Sequence, residues 1–232
     1  MKSYEYYYNN VPGHGLCRNN LIYTSLISTD KKVFVQWYHN DTDYHKGQNQ
    51  VVDPDLMEQK FNREIKYLQM MTRIFPDMVP KILDIDHNEH KIYLEIDGPD
   101  FWEQAGCDHN NFDKVLPDWR EQMLNIIEAH HAVCLYKYSM HPSSYFVVDG
   151  KLKSINYFFC YHMIDGQISI ADHASHIYST RQAEMRKHVE KLGISWTDPQ
   201  PLDLLERLCW ESFRTNYPAD FIEQVLSRMP PN

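Results

Sequence analysis

At Asp97-Gly98-Pro99-Asp100 the apolar pattern of this chain changes its period. Upstream, short β-branched and aromatic runs are separated by polar turns. Downstream, apolar residues recur at three- and four-residue spacing. Adjoining Gly and Pro are strong punctuation, because one relaxes φ while the other fixes it and removes a backbone donor. A chain broken in this way predicts an α+β protein of two lobes. Residues 1–97 form a small β-rich lobe with one helix, and residues 98–232 a mainly helical lobe carrying β-hairpins.

The elements follow from periodicity and turn chemistry. Residues 21–27 and 32–38 read as strands joined by Ser28-Thr29-Asp30-Lys31, and 39–49 as a polar loop. Pro54 opens a helix running to Ile74, with Leu56, Phe61, Ile65, Leu68 and Met71 near helical spacing. Strands at 81–85 and 91–96 follow, then a short turn at 101–105 and a long amphipathic helix at 117–138. Asp149-Gly150 lies between the apolar runs 145–148 and 152–155, a strong hairpin signal because both turn positions take positive φ. Asp165-Gly166 predicts a second hairpin from 161–164 and 167–170. Helices at 180–192, 202–215 and 218–229 complete the order.

With 43% apolar residues in 232, the chain can bury a core without disulfides or metal. A net charge of −9 argues against a nucleic-acid binder, which normally shows a basic excess. No apolar run approaches the ~20 residues that span a bilayer, so no membrane partner is expected. Met1-Lys2-Ser3-Tyr4 and the residues after it lack the apolar core of a signal peptide. Cys17, Cys107, Cys134, Cys160 and Cys209 are odd in number and scattered, which predicts a reduced, cytoplasmic protein. The P-loop, nucleophile-elbow and H-E-x-x-H motifs are absent, and Gly13-His14-Gly15 lacks a third glycine. His130 and His131 diverge by ~100° on a helix and so do not share an ion, while His173 and His176 lack further ligands. They read as core-edge or surface histidines, and no metal is expected.

The sharper signal is Met140-His141-Pro142-Ser143-Ser144-Tyr145, followed by the 149–150 hairpin and Ser154-Ile155-Asn156-Tyr157. This stretch resembles the catalytic segment of the protein-kinase-like superfamily, the fold of the aminoglycoside and choline phosphotransferases. Their pattern is H-x-D-x-H-P-x-N, a hairpin, then Ile-Asp-Phe or Ile-Asp-Trp. The resemblance extends over roughly 16–215, with 32–38 as the third small-lobe strand and Phe61-Asn62-Arg63-Glu64 on the helix after it. It places Asp97 and Gly98 at the interlobe hinge, where a nucleotide would be held.

What the resemblance implies is a site lost residue by residue. The aspartate facing the acceptor hydroxyl falls at Ser139, and the two metal ligands fall at Ser144 and Asn156. The phosphate-gripping lysine falls near Gln36, leaving Glu64 without its lysine. Phosphoryl transfer depends on charge stabilisation by Lys and Mg²⁺, and Mg²⁺ is usually held through carboxylates. The expectation is therefore a pseudokinase, with no catalytic residues, no cofactor, and a protein partner or small ligand. The alternative is an active small-molecule phosphotransferase using ATP and Mg²⁺, with Asp149, Asp165, Asp172 or Glu64 supplying carboxylates. A third reading is a structural or assembly protein on the same scaffold, since fold alone does not fix function.

Overall fold

The computed structural model describes residues 24–28, 32–38, 54–162, 166–171 and 179–229. The loop at 39–49, Gly13-His14-Gly15, Cys17, Asp165, Asp172, His173 and His176 lie outside the described residues. The protein is a mixed α+β chain with small sheets. Its elements are β1 (Thr24–Ser28), β2 (Val33–Trp37), α1 (Pro54–Ile74), β3 (Ile82–Asp86), β4 (Lys91–Glu95), α2 (Phe101–Gln104), α3 (Phe112–Val115) and α4 (Trp119–Ala132). Then come β5 (Leu135–Lys137), β6 (Tyr145–Val148), β7 (Lys151–Ser154), β8 (Cys160–His162), β9 (Gln167–Ser169), α5 (Ser179–Lys191), β10 (Pro199–Pro201), α6 (Leu202–Ser212) and α7 (Ala219–Ser227). No helix among the described residues is long and apolar enough to cross a membrane.

The chain divides into two compact units. The first holds the described residues up to Met123 together with Pro142–Phe158, and the second holds Leu124–His141 and the described residues from Phe159 onward. Residues 98–123, which follow the Gly-Pro break, group with the first unit. Asp100 makes a β-bridge to Phe146, and the Phe101, Phe112 and Trp119 rings cluster around it.

In the first unit four antiparallel strands run in the order β1-β2-β4-β3. Strand β2 is central, with Gln36 opposite Ser25 on one side and Ile92 on the other. Side chains alternate between faces. Val33, Val35 and Trp37 cluster with Tyr93 and Leu83 on one face. The other face carries Phe34, Gln36 and, just beyond the strand, Tyr38. Phe34 meets Phe146 of β6 edge-on at 5.0 Å, and Tyr38 meets Phe61 of α1 at 5.8 Å. Helix α1 thus covers the sheet through Phe61, Leu68 and Met71, each at most 1% exposed. Burying a side chain of this size contributes about 1.5–3 kcal/mol. The 145–154 hairpin forms as its Asp-Gly pair requires, with φ of 50° at Asp149 and 72° at Gly150.

The second unit packs α5 and α6 around Tyr138, Tyr161 and Ile170. Two expectations are corrected here. The helix expected at 117–138 ends at Ala132 because Cys134 takes the left-handed conformation, φ 54°, that stops a helix. Residues 135–137 then pair as a strand with 160–162. The second hairpin does not form among the described residues, since β8 pairs with β5 and β9 with β10. Gly166 does take the positive φ, 73°, that the turn signal implies. Its three-residue flanks find longer-range partners instead.

Candidate functional site

Four of the positions singled out in the sequence meet inside the first unit. Gln36, Glu64, Ser144 and Asn156 are all at most 5% exposed. Gln36 Nε2 donates to Asn156 Oδ1 at 3.2 Å, and Asn156 Nδ2 donates to Ser144 Oγ at 2.9 Å. Glu64 lies on the buried stripe of α1 and receives two main-chain donors. Asn156 N donates to Oε1 at 3.2 Å and Phe158 N donates to Oε2 at 2.8 Å. The Ser144 carbonyl closes the ring by accepting from Ile155 N at 3.0 Å.

Local structure explains the convergence. Gln36 belongs to the β2 face that meets α1 and the hairpin. Asn156 follows the hairpin with φ 68°, a left-handed backbone that Asn tolerates better than most residues. That turn points the amides of Asn156 and Phe158 in the same direction, so one carboxylate caps both. Ser144 ends the turn Pro142–Ser144 that opens the hairpin. Gln36 Oε1 is buried and has no hydrogen-bond partner among the described residues.

The residue types decide what the cluster can do. Where the resemblance expects a lysine, Gln36 brings an amide without charge. Where it expects metal ligands, Ser144 and Asn156 bring a hydroxyl and an amide bonded to each other. Both Glu64 oxygens are occupied by main-chain donors. This set does not fit Mg²⁺, which takes near-octahedral oxygen ligands and usually one or two carboxylates. Asp149, a candidate replacement carboxylate, is the first turn residue of the hairpin, and its charge acts on Lys32 and Lys153. Among the described residues no group of three His, Cys, Asp or Glu is placed to hold a metal ion.

The remaining candidates lie elsewhere. Asp97 forms an exposed ion pair with Lys32 Nζ at 3.1 Å, and its hydrogen bond and charge raise the lysine pKa. A Cβ at Gly98 would meet only Gln104 Nε2 at 3.8 Å, so this position has room for a side chain. Ser139 belongs to the second unit, in a segment anchored on both sides. Its carbonyl accepts from Lys137 Nζ at 2.5 Å, Tyr138 Oη donates to Leu202 O at 2.7 Å, and Tyr217 Oη donates to Met140 O at 2.5 Å.

Three buried ionisable groups escaped the motif reading. Lys60 is 3% exposed, and burial together with the nearby Arg63 charge lowers its pKa to about 7. Lys137 is fully buried, two residues before Ser139. Glu206 is 2% exposed and takes His131 Nε2 at 2.8 Å. Their signal is positional, since Lys60 and Glu206 each occupy the apolar stripe of a helix. No family model matches this sequence, and no curated protein matches it.

Proposed function

We propose that this chain is a catalytically degenerate member of the two-lobed kinase-like fold and acts by binding a protein partner or a small ligand. One observation carries the reading. Positions 36, 64, 144 and 156, which the resemblance assigns to nucleotide and metal, converge from four separate segments on one buried network. Such convergence is expected if the scaffold is kinase-like and is otherwise a coincidence of four. The network's chemistry supports degeneracy, because amide, hydroxyl and main-chain donors replace the charges that phosphoryl transfer requires.

The test has two arms. A thermal-shift titration with ATP, with and without Mg²⁺ or Mn²⁺, is expected to leave the melting temperature unmoved. Any ligand that binds the native state raises it by mass action. ATP turnover is expected to equal that of the Ser139→Ala/Asn156→Ala double variant. Turnover abolished by that double change would overturn the binding reading in favour of an active phosphotransferase.

A further inference from the structure

We propose that the His131–Glu206 pair is a pH-operated latch within the second unit, closed while the imidazole carries a proton and loosened above neutral pH. The pair joins α4 to α6. Glu206 is nearly sealed, with its side chain 3% exposed, whereas the His131 side chain is 37% exposed and can exchange its proton with solvent. A sealed carboxylate needs a cation or several donors to be tolerated. His131 Nε2 at 2.8 Å supplies the charge only when protonated.

The surroundings favour that proton. On α6, Asp203 adds a second negative charge near Glu206, and Cys209 is a buried thiol held un-ionised by burial and by Glu206. On α4, Glu128 reinforces the positive form of His131 while itself pairing with Arg228, and the His131 charge helps to keep the buried His130 neutral. From the β5 strand, the Tyr136 ring lies 5.8 Å from the imidazole, and its phenol is kept neutral by burial, Glu206 and Asp203. Cys134 adds to the same field, Lys137 acts on His130, and Tyr138 is also kept neutral by burial.

Burial alone would lower the His131 pKa, but the hydrogen bond and charge of Glu206 raise it above 6.5 on balance. Burial raises that of Glu206 against the pull of His131. His131 therefore binds its proton more tightly folded than unfolded, and its stabilisation is complete below the unfolded imidazole value of 6.5 and lost as pH rises through the folded one. The latch stands next to the anchored segment, since Tyr138 Oη is bonded to Leu202 O at the start of α6. Opening it would loosen the mounting of Ser139.

Calorimetric melts of the full chain between pH 5.5 and 8.5 test the latch, on wild type, His131→Gln and Glu206→Gln. Lys60, buried with its pKa lowered to about 7, gives all three chains the same rise in stability over the interval from pH 6.5 to 8.5. The melting temperature of wild type minus that of either variant is therefore expected to fall by about 2–4 °C between pH 6.5 and 8.5. A difference that stays level or rises there overturns the proposal. If the variants do not fold, NMR titration of the assigned His131 ring in wild type decides. A midpoint above 6.5 supports the latch, and one at or below 6.5 refutes it.

Discussion

Each unit of this protein buries a glutamate on the apolar stripe of a helix, and the two are stabilised by opposite means. Glu64 in the first unit is fully sealed and capped by the main-chain amides of Asn156 and Phe158. Glu206 in the second is held by the imidazole of His131. These amide donors carry no proton that titrates near neutrality. The imidazole does titrate, so the second arrangement depends on conditions. The difference teaches that burial of a carboxylate does not by itself predict a switch. The chemistry of the partner decides between a fixed clamp and a latch.

The largest expected effect breaks the clamp. Glu64→Ala leaves two buried N–H groups without acceptors and should destabilise the protein by about 2–5 kcal/mol in urea unfolding. Glu64→Gln keeps one acceptor and should recover part of that loss. Neither effect should change between pH 6.5 and 8.5, and a pH-dependent loss would erase the contrast with Glu206. The next effect turns the clamp into a titrating site. Combined in one variant, Gln36→Lys and Asn156→Asp place charges in a first-unit surround built for neutral groups, Ser144→Asn adds an amide there, and Ser139→Asp adds a carboxylate in the second unit. We expect a loss of about 1–3 kcal/mol and Mg²⁺-dependent nucleotide binding that is weak at most, because positioning within ~0.5 Å needs supporting contacts. Tight Mg·ATP binding with phosphate transfer by this variant would show that the site was preserved intact.

Adjacent histidines sharpen the comparison from the acid side. His130 is 2% exposed, and burial, with Lys137 and His131 nearby, holds its pKa well below 6.5. A depressed folded value means stability is present above 6.5 and lost as pH falls below it, the reverse of His131. Each pH unit of differential protonation is worth about 1.4 kcal/mol, so the loss reaches up to about 2 kcal/mol by pH 5. Denaturant melts of His130→Gln should lack this acid arm while keeping the alkaline one. Loss of both arms in that variant would mean that the two rings titrate as one system.

Much of this was legible in the sequence. Helix α1 and the 145–154 hairpin rest on local signals, a 3.6-residue stripe and an Asp-Gly turn, and both formed within a residue or two of expectation. No local signal marks the meeting of Gln36, Glu64, Ser144 and Asn156, because the bonds among them span 12 to 120 residues. The partners of Glu64 were not legible, since main-chain donors leave no mark on composition. Strand β5 was hidden by helical spacing that continued past Ala132, where a left-handed Cys134 ended the helix. The 161–170 hairpin failed for a related reason, in that its turn chemistry was present while tertiary pairing to β5 and β10 took its strands. Glu206 and Lys60 were visible as charges on apolar stripes, a pattern that motif searching passes over.

The smallest expected effect is a control for all the others. Gly150 in the first unit and Gly193 in the second have nearly the same backbone, φ 72° and 70°, and a Cβ at either would meet nothing within 4 Å. Alanine at these sites adds only the strain of a left-handed conformation, about 1 kcal/mol. No proton is involved and no contact is lost. Gly150→Ala and Gly193→Ala should therefore lower the melting temperature by about 2–4 °C each, by the same amount at pH 6 and pH 8.5. Against that flat background, the pH slope removed by His131→Gln can be assigned to the latch rather than to a general loosening of the second unit. If Gly193→Ala instead grew more harmful at alkaline pH, the second unit would be losing structure more widely than one ion pair explains. The contrast between clamp and latch would then have to be redrawn as a contrast between whole units.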